Sequence, residues 1–270
     1  MQELRTRQDL DRPTRDFYAS SIEILERADI RFLVGGAYAV ELYTGVIRAT
    51  KDFDVFVMKA DIEAALEAFR AAGYRAELSF PHWLGKAWNG ETFIDLIFGS
   101  GNGIAPVDET WFEHATRAIV YGKEVELAPP EESIWSKAFI MERERYDGAD
   151  IAHLIHEQGT TLDWHRLVRR FGNHWRVLFA HLTLFGYIYP SRRNAIPPWV
   201  MRTLADRMAA EVDEDPLDIE VCRGPVLSRA QYLPDLERDS FIDGRLFPWG
   251  LMSQQEIEEW TEAIEKEKAS

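Results

Sequence analysis

Apolar positions recur along the chain with two different periods, and each change of period marks an element. Over residues 15–28, Phe17, Ser21, Ile24, Leu25 and Ala28 fall on one helical face. The short run RFLV (31–34) then predicts a strand that ends abruptly at Gly35-Gly36, and residues 37–44 predict a short helix closed by Gly45. In DFDVFV (52–57), Asp52 and Asp54 alternate with Phe53 and Val55, the pattern of a strand with one acidic and one apolar face. Helical spacing returns over 60–72 with Ile62, Ala65, Leu66 and Phe69, and Gly73 closes that element. Strands are expected at 74–80, 84–88 and 92–98, the last two joined as a hairpin at Gly90. A further hairpin over 119–127 turns at Gly122.

From residue 130 the period is helical: 130–145, 147–157, 163–171, 174–188 and 197–212. Trp175, Phe179, Leu182 and Phe185 mark a core-facing stripe. The segment after 213 is punctuated by proline and predicts an irregular tail ending in an acidic helix over 253–267. The class implied is α+β. A small mixed sheet with flanking helices occupies 1–129, a helical part 130–212, and the tail 213–270.

Charge narrows the function classes. With 46 carboxylates against 31 Lys and Arg, the net charge is −15, the wrong sign for a protein that coats nucleic acid. Within that excess, 164–193 holds six arginines and no carboxylate. This run either pairs with acids of neighbouring elements, such as 206–220, or forms a local patch for a triphosphate or an RNA end. The single cysteine, Cys222, excludes an internal disulfide and zinc sites built on several cysteines. No apolar run is long enough to span a membrane, and the charged residues 1–16 have no apolar core of a leader, so the expected location is the cytoplasm.

The candidate chemistry lies in 32–57. Two glycines between a strand and a helix let backbone N–H groups approach a phosphate, and the helix end favours negative charge. Asp52 and Asp54, two apart on a strand, share a face, which is unfavourable unless a cation or a proton intervenes. An all-oxygen site that also takes phosphates suits Mg²⁺ or Mn²⁺. Asp95, bracketed by Phe93, Ile94, Leu96 and Ile97, is costly to bury without a partner, and supplies a third carboxylate. Arg48 is either a phosphate ligand or the counter-charge to the aspartates; Thr50 is expected at a strand start. Lys137, beside Ile134, Ala138 and Met141, either reaches a triphosphate or snorkels at the surface. Asp150, His153 and His156 are expected on a solvated helix face, and Ser100 in a flexible loop.

The order Gly35-Gly36, short helix, Arg48-x-Thr50-x-Asp52-x-Asp54 and a later strand aspartate resembles the DNA polymerase β-type nucleotidyltransferase superfamily. Within it the likeness is to the minimal nucleotidyltransferases, such as aminoglycoside and lincosamide nucleotidyltransferases and nucleotidyltransferase toxins. It covers residues 30–100, with a weaker echo over 132–155. Ala37 stands where many members have serine, and Arg143, Arg145, Asp147 and Asp150 only loosely match the toxin branch's basic-acidic helix motif. The resemblance implies a nucleotidyltransferase sheet core moving a nucleoside monophosphate from a triphosphate to an acceptor hydroxyl. Gly35 and Gly36 would cradle the triphosphate, with Arg48 and Lys137 as further contacts. Asp52, Asp54 and Asp95 would bind Mg²⁺ or Mn²⁺, and Asp95 would act as general base. The expected acceptor is a small molecule; the alternatives are a tRNA end, as in toxin-type enzymes, or a nucleotide-binding scaffold without catalysis.

Overall fold

The computed structural model describes residues 2–4, 10–47, 50 and 52–269. It divides into two units, Met1–Pro129 and Pro130–Ser270.

In the first unit, β1 (Gln2–Glu3) precedes α1 (Arg12–Arg27), β2 (Phe32–Val34), α2 (Gly36–Thr44), β3 (Phe53–Val57) and α3 (Ile62–Ala71). Next come β4 (Arg75–Phe80), β5 (Leu84–Asn89), β6 (Thr92–Ile97), α4 (Glu109–Glu113), β7 (Thr116–Val120) and β8 (Lys123–Leu127). Asp11 starts α1 by accepting a hydrogen bond from the Thr14 N–H, with Pro13 in the first turn. That cap sets the start three residues before the apolar spacing does, and Ala28, expected on the inner face, is instead the exposed C-cap.

The strands form one mixed sheet in the order β1-β7-β8-β2-β3-β6-β5-β4. At its centre β3 runs parallel to β6 and antiparallel to β2, and β5 runs antiparallel to β6 and β4. Helices α1 and α3 cover one face. The Tyr18 ring stacks on Phe53 at 4.9 Å between centroids, and Ile62 and Leu66 close over Gly85. Side chains alternate along a strand, so Asp54 and Asp95 point to the other face. The β7–β8 turn has positive φ at both central residues, Tyr121 (52°) and Gly122 (76°), the conformation that matches the twist of a two-residue hairpin. The Tyr121 hydroxyl shares a 2.7 Å hydrogen bond with the Tyr38 hydroxyl.

The second unit contains α5 (Pro130–Lys137), α6 (Gly148–Gln158), α7 (Trp164–Phe171), α8 (Trp175–Ile188) and α9 (Pro198–Val212). The remainder is β9 (Val221–Cys222), α10 (Gly224–Leu227), α11 (Leu233–Asp239), β10 (Ile242–Asp243) and α12 (Gln254–Ala269), with β9 and β10 paired in parallel. The helix predicted to 145 stops at Lys137. Beyond it the chain turns through a Met141–Tyr146 bridge, and residues 227–229 capture its polar groups. The Met141 N–H donates to the Leu227 carbonyl, while Glu142 accepts from Ser228 Oγ and the Arg229 N–H. These contacts replace the bonds of a longer helix.

Several arginines of the 164–193 run pair within this unit. Arg166 lies 2.5 Å from Glu131 and 3.4 Å from Glu132, Arg170 lies 3.2 Å from Glu132, and Arg176 bonds Glu211. On α8 the buried stripe is Trp175, Leu178, His181, Leu182 and Phe185, with Phe179 half-buried at its edge. Among the described residues no helix is long and apolar enough to cross a membrane.

Candidate active site

Sheet register builds the site. The parallel pairing of β3 with β6 sets Asp54 opposite Asp95, and the β5–β6 hairpin sets Lys86 opposite Asp95. On β4, Glu77 faces Lys86. At the other side Gly35, just past β2, donates its N–H to the Asp54 carbonyl at 2.9 Å. One transverse row therefore reads Glu77, Lys86, Asp95, Asp54, Gly35. Directly opposed residues share a face, so the charged side chains of this row project together, away from α1 and α3.

The glycines bring the start of α2 onto the row. Gly36 has φ +54°, and a Cβ there would lie 1.7 Å from Asp54 Oδ2. A Cβ on Gly35 would overlap the Phe56 ring at 2.1 Å. Only glycine permits this approach, and it sets the Asp54 carboxylate beside a helix N-terminus, where negative charge is favoured. Between Asp52 and Asp54, Phe53 is clamped by the rings of Tyr18 and Tyr38, the latter at 5.0 Å. Asp52 lies just before β3 and is exposed, and its N–H donates to Thr50 Oγ1 at 3.1 Å.

Lys86 changes the electrostatics. Its ammonium sits 2.8 Å from Asp95 Oδ1, both side chains being mostly shielded (23% and 15% exposed). Burial pushes the Asp95 carboxyl above the usual carboxylate range; Lys86 pulls it down, and Asp52 pushes it up again. Across the sheet, burial raises the Tyr18 phenol, with Tyr121 and then the three aspartates adding to the shift. Among the described residues no three Asp, Glu, His or Cys side chains gather closely enough to share one metal ion.

Of the residues expected at the site, Gly35, Gly36, Asp54 and Asp95 come together, with Asp52 adjoining. Arg48 lies outside the described residues. Lys137, expected either as a triphosphate contact or as a snorkelling surface lysine, belongs to the second unit, where its mostly shielded ammonium lies 2.9 Å from Asp147 Oδ2 and 2.9 Å from Asp150 Oδ2. Burial opposes its charge, but the two carboxylates outweigh that and raise its pKa. Asp150 is therefore buried rather than solvated. Ser100 stabilises its own loop, donating to Asn102 Oδ1 at 2.7 Å and accepting from the Ala105 N–H at 2.9 Å.

Lys86 is the residue that sequence reasoning missed, although a signal existed. Closing the hairpin with two residues at Gly90 and Glu91 pairs Asn89 with Thr92, and counting back along the ladder pairs Lys86 with Asp95.

No curated protein matches the chain in sequence. Among solved structures it is similar to the antibiotic-resistance factor ANT(2'')-Ia, at 14% identity over 66% of this chain and 99% of that one, with a TM-score of 0.42. An antigenic nucleotidyltransferase-like protein from Paracoccidioides brasiliensis aligns at 16% identity over 68% and 93% of the two chains, with a TM-score of 0.44. The lincosamide antibiotic adenylyltransferase LnuA, solved with lincomycin bound, aligns at 14% identity over 52% and 94%, with a TM-score of 0.38. The family described as nucleotidyl transferase of unknown function (DUF2204) matches residues 14–174, which hold the whole carboxylate row, and the chain belongs to that family of nucleotidyltransferases.

Proposed function

We propose that this nucleotidyltransferase moves a nucleoside monophosphate from a nucleoside triphosphate to a hydroxyl of a small-molecule acceptor, at the row formed by Gly35, Asp54 and Asp95. The observation that supports this most is the register itself. It aligns a backbone cradle, a carboxylate at a helix N-terminus and a second, mostly shielded carboxylate in one line.

Each end of the row has a distinct task. Gly36 and the residues after it at the start of α2 hold the triphosphate through backbone N–H groups, while Gly35, bonded to the Asp54 carbonyl, fixes their position. Asp95, whose carboxyl burial makes more basic, accepts the proton of the acceptor hydroxyl. The acceptor oxygen bonds to the α-phosphorus, the bond to the leaving oxygen breaks, and pyrophosphate departs.

The residues present fit a divalent cation. Mg²⁺ is usually held by one or two carboxylates with substrate phosphates and water, and Asp54 and Asp95 stand side by side, with Asp52 adjoining. Mg²⁺ or Mn²⁺ held there would stabilise the attacking and leaving oxygens of an in-line displacement. Arg48 is proposed as a triphosphate contact, and Lys137, held by Asp147 and Asp150, as a partner within its own unit.

A small acceptor is favoured over a tRNA end because Arg166, Arg170 and Arg176 already pair with Glu131, Glu132 and Glu211. Transfer of label from α-labelled triphosphates in the presence of Mg²⁺ and a small-molecule extract tests this function. Asp52→Ala and Asp54→Ala should abolish labelling; unchanged labelling in both sinks it. Labelling only of RNA, with binding that weakens steeply as salt rises, would select the tRNA alternative.

A further inference from the structure

We propose that Lys86 is a resident counter-cation of the carboxylate row. It holds Asp95 until a divalent ion takes over that charge, and so sets how tightly the row binds the ion. The proposal builds on the nucleotidyl-transfer function above only for the use made of the ion.

Three observations support it. Lys86 flanks Asp95 on the side away from Asp54, so one fixed positive charge serves a row in which acids lie next to each other. Its ammonium meets Asp95 Oδ1 at 2.8 Å, a close ion pair between two largely shielded side chains. The same ammonium lies 4.0 Å from the centroid of the Phe93 ring, a favourable contact made together with that to Asp95, which keeps the charge at the row.

The sign of the effect does not depend on whether Lys86 departs. An ammonium repels a divalent ion whether it moves off Oδ1 or stays there while the ion takes another oxygen. Removing its charge therefore strengthens ion binding and weakens the ion-free protein.

Mn²⁺ titration of the full chain followed by electron paramagnetic resonance, without nucleotide, tests this. Lys86→Met should bind Mn²⁺ roughly tenfold more tightly than wild type, from the loss of one nearby charge. Lys86→Arg, which keeps the charge, should stay near wild type, and Asp54→Asn should bind most weakly. Thermal unfolding adds a second readout. Lys86→Met should melt below wild type in chelator and show the larger rise on adding Mn²⁺. If Lys86→Met does not fold, Lys86→Gln makes the same comparison.

Equal or weaker Mn²⁺ binding by the uncharged variant overturns the proposal. So does Mn²⁺ binding that Asp54→Asn leaves intact. If the expected order of affinities holds but no protein transfers label, the function falls and this proposal stands; labelled transfer without that order overturns this proposal alone.

Discussion

The two units each contain a cluster of lysine and aspartate, and the clusters are built on opposite principles. In the second unit Lys137 lies 2.9 Å from each of two carboxylates, and Arg145 adds two bonds to Asp147. Two positive and two negative groups balance there, and the Lys137, Asp147 and Asp150 side chains are at most 13% exposed. In the first unit Asp54 and Asp95 lie side by side, Asp52 adjoins them, and Lys86 meets one of the three. A balanced, sealed cluster holds a shape. An acid-rich row with a single lysine is the place proposed for a further cation. The count of opposing charges, more than the residue types, separates the two.

The largest expected effects break this comparison directly. Asp95→Asn should lower kcat by about 10²–10⁴-fold, the usual contribution of a positioned proton acceptor, with little change in melting temperature. Lys137→Met should do the reverse. It strands Asp147 and Asp150 without their shared cation and should cost about 3–5 kcal/mol in denaturant unfolding, as breaking a buried pair does. If Lys137→Met folds normally but loses transfer, the balanced cluster is part of the nucleotide site and the distinction fails. A smaller effect is expected for Gly36→Ala, where φ is +54° and a methyl would strike Asp54 Oδ2. A cost of about 1–3 kcal/mol, together with lost transfer, would tie backbone conformation to the carboxylate.

Much of the first unit was legible because its signals are local. Ile62, Ala65, Leu66 and Phe69 read as one helical face and are all buried on α3. The alternation in 52–57 gave both the strand and its acidic side. The missed features depend on partners distant in sequence. Helix α5 stops at Lys137 because 227–229 engage the chain beyond it, and nothing near Met141 announces that. Asp150 looked solvated because its partner, Lys137, lies on another helix. Lys86 was overlooked because a lysine in a strand is ordinarily a surface residue, and only the hairpin register shows that it faces Asp95.

The finest contrast is in pH dependence, where the two clusters should differ in sign. Burial acts against charge on Asp147, but Arg145 and Lys137 outweigh it and hold its carboxyl below the ordinary range. A carboxyl depressed in the folded state contributes stability above its unfolded pKa of about 3.9, and that stability is lost as pH falls through the folded value. Asp95 is raised by burial, so its ionised form costs stability; acidification from its folded pKa down to the ordinary range should return some. Urea unfolding in chelator from pH 7 to pH 3 therefore separates them. Relative to wild type, Asp147→Asn should lose less stability on acidification below about pH 4, because its neutral amide has no proton to gain. Asp95→Asn should lose the gain that wild type shows in the window above the ordinary carboxylate range. Shifts of the same sign in both variants would mean that Lys86 compensates Asp95 as fully as Lys137 and Arg145 compensate Asp147, and the row would then be as closed to a further cation as the sealed cluster is.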